Sequence, residues 1–508
     1  MNRYRSRASL ALALPLLATL AACTTLGPDY HLPKEAVIQR DAAKAPLMGA
    51  AEQPFTAEPL PADWWRLYRD PVLDRLIAKA FGANADLRAA AANLQRAHAV
   101  LEEVEEKQRP EVEMGAAPLY GRIAGASIGV PEQLPRTGIY DADIKVAWQV
   151  DMWGRIRRAI EAAHADQEAA QAASDLAHVM VAADTTRAYA QACSAGYQLK
   201  VAQQSVDLQQ KFVKLTGERV RRGRGIAIDN SRAQAQLELL RANLPPLEAS
   251  RRTALYRLAV LTGEVPSQFP QEVAQCVTPP RVASAVPVGD GAALLRRRPD
   301  VRQAERRLAA ATARIGVATA ELYPNISLGA SFGSVGMMEG FGKADTWKFS
   351  LGPLISWSLP ALSPARVHIA QARIDTAGAL ARFDAVVLNA LRETESALTV
   401  YARELDRNAA LRAARDQSAL ASRQTARLYE VGRTDFLAAL DADRTLASAE
   451  SMLAASDAQL AADQAQLFLA LGGGWEHARP AHGEGHVSAH GDARTAGKEA
   501  PAHAKSGG

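Results

Sequence analysis

Residues 141–150 read DADIKVAWQV, and this stretch decides the fold. One face carries Asp141, Asp143 and Lys145, and the other carries the apolar even-numbered residues, since successive side chains of a strand point to opposite faces. A transmembrane β-strand needs about ten residues, with apolar side chains towards lipid and polar ones inward. The segment therefore predicts a membrane-spanning strand.

Three further segments alternate in the same way, at 111–120, 325–332 and 347–358. Tryptophans lie near strand ends, where an aromatic girdle marks the membrane interface, at Trp148, Trp347 and Trp357. The alternative is a pair of soluble hairpins. The open edges of a sheet in lipid leave backbone groups unpaired, so membrane strands would require oligomerisation. Two chains would give an eight-stranded barrel, whose interior is filled by side chains. Three chains with twelve strands therefore make the smallest water-filled barrel.

The chain consists of two copies of one unit. Gly223 and Gly432 lie 209 residues apart, and a spacing shared by several motifs indicates an internal repeat. The same spacing separates Leu237 from Leu446, Gly263 from Gly472, and Trp148 from Trp357. Each copy, roughly 63–265 and 288–474, reads helix, strand pair, very long helix, turn, long helix. Pro245-Pro246 predicts a bend or break in the first copy alone, because proline inside a helix costs about 3 kcal/mol.

Each copy contains one very long predicted helix. From Trp153 to about Arg222 there is no proline and there are only three glycines, Gly154, Gly196 and Gly217, and small or apolar residues recur at steps of three and four. A period near 3.5 favours a left-handed coiled coil. About 70 residues at 1.5 Å each give ~100 Å. The second copy repeats the pattern from about Ala365 to Tyr429.

The amino terminus predicts an exported lipoprotein. Three arginines within residues 1–7 precede an apolar run at 8–20, and the sequence Leu-Ala-Ala then leads to Cys23. This arrangement resembles the bacterial lipobox, which implies cleavage after residue 22, a diacylglycerol on the Cys23 thiol and an acyl chain on its amine. An ordinary secretory peptide with a chance cysteine is the alternative. Thr24 favours the outer membrane, because lipoproteins retained at the inner membrane usually carry Asp there.

Composition narrows the remaining classes of function. Without residues 1–22 the formal charge falls from +4 to +1, which gives no indication of nucleic acid binding. Neither metalloprotease, phosphate-loop nor nucleophile-elbow motifs occur, so we expect no enzyme, no metal centre and no cofactor beyond the lipid. Cys193 and Cys276 could pair in an oxidising compartment, or both could be free and buried. Residues 476–508, rich in Ala, Gly and His, predict a disordered tail, with metal scavenging as the less favoured alternative.

Longer motifs point to a family. Residues 63–74 read DWWRLYRDPVLD, which looks like the opening motif of the TolC-like outer-membrane efflux proteins. Residues 298–301 read RPDV, and residues 323–328 read YPNISL, which resemble that family's second-copy signature. Together with the lipobox and Pro245-Pro246, these motifs resemble those of the family's lipoprotein (NodT-like) branch, which serves resistance-nodulation-division pumps.

The resemblance implies a mainly α chain with membrane β-strands, acting as a homotrimer. It also implies a twelve-stranded barrel in the outer membrane that continues as a helical tunnel through the periplasm. Substrates would arrive from an inner-membrane pump through an adaptor protein. On this basis the chain divides into a signal peptide (1–22), a lipidated linker (23–62), two repeats (63–287 and 288–475) and the tail. A type I secretion duct and a structural coiled-coil lipoprotein without a pore remain the alternatives.

The turns after the two long helices are the candidate gate. Gly223 and Gly432 permit the chain reversals. Leu437 and Asp441 are four residues apart and share a helix face, and the resemblance implies that they form closing rings, with Asp441 supplying three carboxylates. Asp229 matches an acidic tip residue of relatives. The alternative for both aspartates is a solvated charge. Three arginines at the first turn could contact an adaptor or be solvated, at positions Arg221, Arg222 and Arg224.

Overall fold

The structure, a computed structural model, describes residues 25–51, 54–122, 124, 126, 129, 131–133, 135–282, 284–359 and 364–476. The helices in these ranges are α1 (Asp41–Lys44), α2 (Pro71–Ala83), α3 (Ala85–Glu106), α4 (Arg155–Arg221), α5 (Ala227–Ala242), α6 (Leu244–Leu261), α7 (Gln271–Ala274), α8 (Gly291–Arg297), α9 (Pro299–Ala320), α10 (Ala365–Glu430) and α11 (Phe436–Leu471). The strands are β1 (Phe55–Thr56), β2 (Glu111–Gly121), β3 (Thr137–Val150), β4 (Val286–Pro287), β5 (Asn325–Met337) and β6 (Trp347–Ser356).

The predicted strands form one antiparallel sheet in the order β2-β3-β5-β6. β3 and β5 are longer than the alternation predicts, because their ladder continues to the pair Ile139 and Met337. β6 is shorter and ends at Ser356, where its pairing with Asn325 ends. The indole of the next residue, Trp357, donates a hydrogen bond to the Leu322 carbonyl, at 3.2 Å. A ladder depends on backbone pairing, so side-chain alternation alone misplaces its ends.

The two faces of the sheet differ in polarity. Lys348 forms ion pairs with Asp141 and Asp143 across one face. The opposite face exposes large apolar side chains, among them Phe349 at 84% and Leu351 at 83%. This separation agrees with the alternation in the sequence. β2 and β6 are the outer strands of the sheet, so one edge of each has no partner strand within the described ranges of the chain.

The long helices agree closely with the predicted ones. α4 has 67 residues and α10 has 66, so each is about 100 Å long at 1.5 Å per residue. The predicted break in the first copy is confirmed, because α5 ends at Ala242 and α6 starts at Leu244 with the proline pair in its first turn. In the second copy α11 runs 36 residues without a break. None of the helices in the described ranges is apolar enough over its length to cross a membrane.

The main core lies where the two copies meet. Trp64, fully buried, stacks on Phe468 of α11 at 4.5 Å, and its indole donates to the Gly473 carbonyl at 3.1 Å. Leu258 and Leu467, equivalent in the two copies, are both fully buried. The start of the first copy is therefore packed against the end of the second, which makes the two copies one structural unit.

The segment between the copies is fastened at two places. A disulfide joins Cys276 to Cys193 of α4. In the structure the two cysteines are therefore paired and not free. Further along, Arg281 pairs with Asp457 of α11, and the Val282 amide donates to Gln464 at 3.2 Å. The segment thus bridges the long helix of the first copy and the last helix of the second.

Candidate functional site

Two helix reversals, one in each copy, form the far end of the helical region. α4 ends at Arg221 and α5 begins at Ala227, with Gly223 at φ +67° between them. In the second reversal Gly432 has φ +74°. Both glycines adopt the left-handed conformation that other residues rarely enter, as the sequence predicted for a chain reversal.

An aromatic cluster holds the two reversals against each other. Phe212 of α4 stacks on Phe436 of α11 at 5.6 Å and lies 5.7 Å from the ring of Tyr429. Arg219 donates to the Tyr429 carbonyl at 3.0 Å, and its guanidinium lies 4.3 Å from the centre of the Tyr429 ring. Each buried aromatic side chain contributes about 2 kcal/mol, so the reversals are positioned as a pair.

The spacing and motifs of the sequence did not indicate this cluster as part of the site. The available signal was the presence of Tyr429 and Phe436 on either side of the second glycine, in a chain that is only 6% aromatic. Aromatic residues next to an exposed turn are unusual unless they pack against another element.

Leu437 and Asp441 lie together on the exposed face of α11. Leu437 is 54% exposed, and Asp441 is exposed one helical turn further on. The neighbouring residues Phe436, Ala439 and Leu440 are buried on the opposite side of the helix. A leucine that is held in water by a well-packed helix is available for contact with other copies of the chain or with a solute in a lumen.

Asp229 occupies a different environment. It lies in the first turn of α5, its side chain is only 17% exposed, and one carboxylate oxygen is 3.9 Å from the guanidinium of Arg232. An acidic residue in the first turn of a helix is favoured by the helix dipole. The structure therefore brings Leu437 and Asp441 onto one surface, whereas Asp229 is partly covered and faces a cation of its own helix.

The first reversal presents positive charge. Arg221, Arg222 and Arg224 are all exposed, and Arg222 reaches Glu218 only at 4.0 Å. Exposed pairs at that distance contribute little to stability. These arginines therefore remain available to solvent or to a partner.

A cavity of about 630 Å³ lies behind the reversals, between α4, α5, α10 and α11. Two acidic residues of α11 line it: Asp443 accepts a hydrogen bond from Ser422 at 2.7 Å, and Glu450 accepts one from Ser205 at 3.4 Å. Burial raises the pKa of both carboxyls, although these hydrogen bonds act in the opposite direction. Arg444, also on α11, donates to Gln236 of α5 at 2.9 Å. Around the cavity, polar contacts therefore attach the last helix to the other three, in addition to the apolar packing of the aromatic cluster.

The predicted lipid site at Cys23 lies outside the described residues, as do the signal peptide and the tail from residue 477 onward. The first described residues nevertheless have a defined place. The Leu26 amide donates to the Trp153 carbonyl at 3.1 Å, and the buried Arg158 guanidinium donates to the Leu26 carbonyl at 3.0 Å. Since Trp153 follows β3 by three residues, Leu26 lies beside the foot of the sheet, where β3 leads into α4.

Comparisons with known proteins agree with this geometry. The family model for outer membrane efflux proteins matches residues 76–264 and 292–473. The chain is 28% identical to nodulation protein T of Rhizobium leguminosarum bv. viciae, over 92% of this chain and 94% of that protein. It is 23% identical to the probable outer membrane lipoprotein SilC of Salmonella typhimurium, over 91% and 98%. Among solved structures it is similar to the outer-membrane channel OprN, with 34% identity, a TM-score of 0.83, and coverage of 89% of this chain and all of that one.

Proposed function

Because this chain belongs to the outer membrane efflux protein family, we propose that it is the exit duct of a tripartite efflux pump. In this role it conducts drugs or other small molecules passively from the periplasm to the exterior. The observation that carries the proposal is continuity: a sheet with one apolar and one polar face leads directly into helices about 100 Å long. One molecule of this design crosses a membrane and reaches deep into the compartment beneath it.

The free edges of the sheet support a homotrimer. An unpaired β2 edge and β6 edge would each leave a row of backbone groups unsatisfied in lipid, at a cost of several kcal/mol per group. Pairing the β6 edge of one chain with the β2 edge of the next removes both edges. Three chains would then form a twelve-stranded barrel, in which the ion-paired face with Lys348 and Asp143 lines the lumen.

The paired reversals support a gate at the opposite end. Three copies of Leu437 would form an apolar ring and three copies of Asp441 an acidic ring, which together close the duct and favour cations. Asp229 would contribute less to the gate, since it is partly covered and faces Arg232. The exposed arginines of the first reversal are the surface that we assign to the periplasmic adaptor, which connects the duct to the inner-membrane resistance-nodulation-division pump.

The amino terminus supports lipidation at Cys23. Thr25 lies so close to Gly154 that a Cβ there would be 2.9 Å from the Thr25 Cα atom. A lipid two residues upstream would therefore start at the foot of the barrel, at the level of the inner leaflet. A relative aligned over 98% of its own length is named a probable outer membrane lipoprotein. We place the mature chain in the outer membrane, with its helices in the periplasm and with no catalytic step.

Deletion of the gene tests the proposal in cells. We expect the deletion strain to become susceptible to several toxic compounds, and a plasmid copy to restore resistance. In planar bilayers the purified protein should produce discrete single-channel steps. A deletion strain with unchanged susceptibility, together with protein that inserts but conducts no ions, would favour a structural lipoprotein instead.

A further inference from the structure

The loop between β5 and β6, residues 338–346, packs on the outer side of the sheet. Gly138, Tyr140 and Ser334 belong to the same face as Ile144 and Phe332, because their positions alternate with Asp141 and Asp143. This is the face with the large exposed apolar side chains, which faces lipid if the proposed barrel forms. A loop at the exterior end of a channel could lie over the lumen, but this loop lies over the opposite face.

Several contacts fix the loop on that face. The Tyr140 ring lies 4.9 Å from the Phe341 ring, and the Tyr140 hydroxyl is 2.8 Å from the Ser334 hydroxyl, which donates to Thr346 at 2.9 Å. Tyr140, Ser334 and Thr346 are all at most 9% exposed. A polar side chain buried on a lipid-facing surface requires such internal partners.

Two glycines of the strands make room for the loop. A Cβ at Gly138 would lie 2.9 Å from the Cγ of Met338, and a Cβ at Gly336 would lie 2.9 Å from the Cγ2 of Thr346. At these distances any other residue would require the Met338 or Thr346 side chain to shift. The glycines of β3 and β5 thus provide the space that the loop occupies on the outer face.

The exposed residues of the loop have the composition of a membrane interface. Met338 is 53% exposed and Phe341 is 70% exposed, and the charged residues beside them are also exposed, at Glu339, Lys343 and Asp345. Directly below, Trp347 stacks on Phe332 at 5.2 Å. Aromatic side chains next to charges are typical of the level where acyl chains meet headgroups.

The height of the loop fits that level. Trp347 is the first residue of β6, and Trp357 directly follows its last residue. The two tryptophans are thus ten residues apart, or about 33 Å along a strand. A tilt of ~45° reduces this distance to about 23 Å of vertical height, close to the apolar band of an outer-membrane barrel. The loop begins where this band ends.

We propose that residues 338–346 form a lipid-binding belt that inserts Met338 and Phe341 between the acyl chains and headgroups of the outer leaflet. The belt sets the height of the barrel in the membrane, because its apolar side chains are stable among the acyl chains and its charged side chains at the headgroups. This inference rests on the proposed function, since it requires the apolar face to meet lipid. Its occupant is membrane lipid and not a second protein.

Fluorescence quenching in vesicles tests the belt. Cysteines introduced as Phe341→Cys, Lys343→Cys and Leu351→Cys are labelled with an environment-sensitive fluorophore, and the unsubstituted protein supplies the background. The full chain is reconstituted in phosphatidylcholine vesicles brominated near the headgroup or deep in the acyl chains. We expect the label at 341 to be quenched about threefold more by shallow than by deep bromines, as for side chains that enter about 5–10 Å. The label at 351 should show the reverse, and the label at 343 little quenching.

A second variant keeps the Phe341 ring on Tyr140. Gly340→Cys adds a side chain whose Cβ meets no atom closer than 3.9 Å, and its label should follow that of 341. If the labels at 340 and 341 are only weakly quenched by both the shallow and the deep bromines, the loop is in water and the belt is excluded. Reconstituted protein that conducts ions but shows this result would refute the belt alone, whereas absence of conductance would refute the proposed function.

Discussion

At the scale of single residues, the motif at 298–300 does more than start a helix. The sequence indicates that Pro299 and Asp300 suit a first helical turn, and α9 does begin there. Arg298, only 8% exposed, also bonds to Asp300, to Glu393 of α10 at 2.9 Å and to the Ala470 carbonyl of α11 at 2.8 Å. A guanidinium with several fixed donors suits such a junction. The residue thus joins three helices, which no local pattern reveals.

The candidate gate residues yield the first prediction. Leu437→Ala with Asp441→Ala should raise single-channel conductance several-fold and reduce cation preference, because both closing rings are removed at once. Planar-bilayer recordings measure both properties. The variant should remain folded, since neither side chain is buried.

Asp406→Ala is the matched control, because Asp406 is an exposed carboxylate of α10 paired with Arg403 at 2.7 Å. Its loss should leave conductance unchanged. If the double variant conducts like the control, Leu437 and Asp441 do not belong to the gate.

At the scale of elements, the attachment of the last helix changes just beyond the aromatic cluster. Asp443 and Glu450 face the cavity between α4, α5, α10 and α11, and each accepts a hydrogen bond from a serine hydroxyl. Buried carboxyls without a cation in direct contact are costly when charged. The helix is therefore attached firmly by the aromatic cluster and weakly along the next two turns.

The raised pKa of Asp443 predicts how this attachment depends on pH. Burial raises its pKa above the ordinary value of 3.8, so the folded protein binds the proton more tightly than the unfolded chain. The associated stability is fully present below pH 3.8 and is lost as the pH rises through the folded pKa. Asp443→Asn should therefore raise the Tm at neutral pH by about 1–3 °C and leave it unchanged at the acid end.

Thermal unfolding followed by circular dichroism at several pH values measures this difference. Asp416→Asn, at an exposed carboxyl of α10, serves as the control and should show no comparable gain. A gain of the same size at every pH would show that shape rather than charge is responsible.

At the scale of the whole molecule, the amino-terminal segment connects the membrane region to the centre of the helices. Past Leu26 it runs along the helices, where the Val37 amide donates to Asp384 at 2.8 Å and the Gly49 amide donates to Glu395 at 2.9 Å. These contacts hold the segment without the lipid. The proposed barrel and this segment would together anchor the protein, which would make the proposed lipid an accessory.

Replacement of the lipidation site tests that order of importance. A Cys23→Ser variant that carries a cleavable secretory signal should assemble more slowly and still support drug resistance, because about 30 Å of the proposed barrel would remain in the membrane. Pulse-chase trimer formation and susceptibility assays measure the two effects. Complete loss of resistance in a correctly exported Cys23→Ser variant would show that the lipid is essential.

Local patterns in the sequence determined a large part of this protein: the strand alternation, the two long helices, the break at Pro245-Pro246 and the reversals at Gly223 and Gly432. These features depend on residues close together in the chain, through side-chain period, proline geometry and glycine freedom. The same holds for the repeat, which is visible because both copies keep one spacing.

Tertiary structure decided what these elements do together. The stacking of Trp64 on Phe468, the junction at Arg298, the aromatic cluster and the outward fold of the loop at 338–346 all join residues far apart in sequence. The pairing of Cys193 with Cys276 is of the same kind, because both free and joined cysteines were compatible with the sequence. Contacts of this type depend on the packing of whole elements, whose geometry no local period encodes.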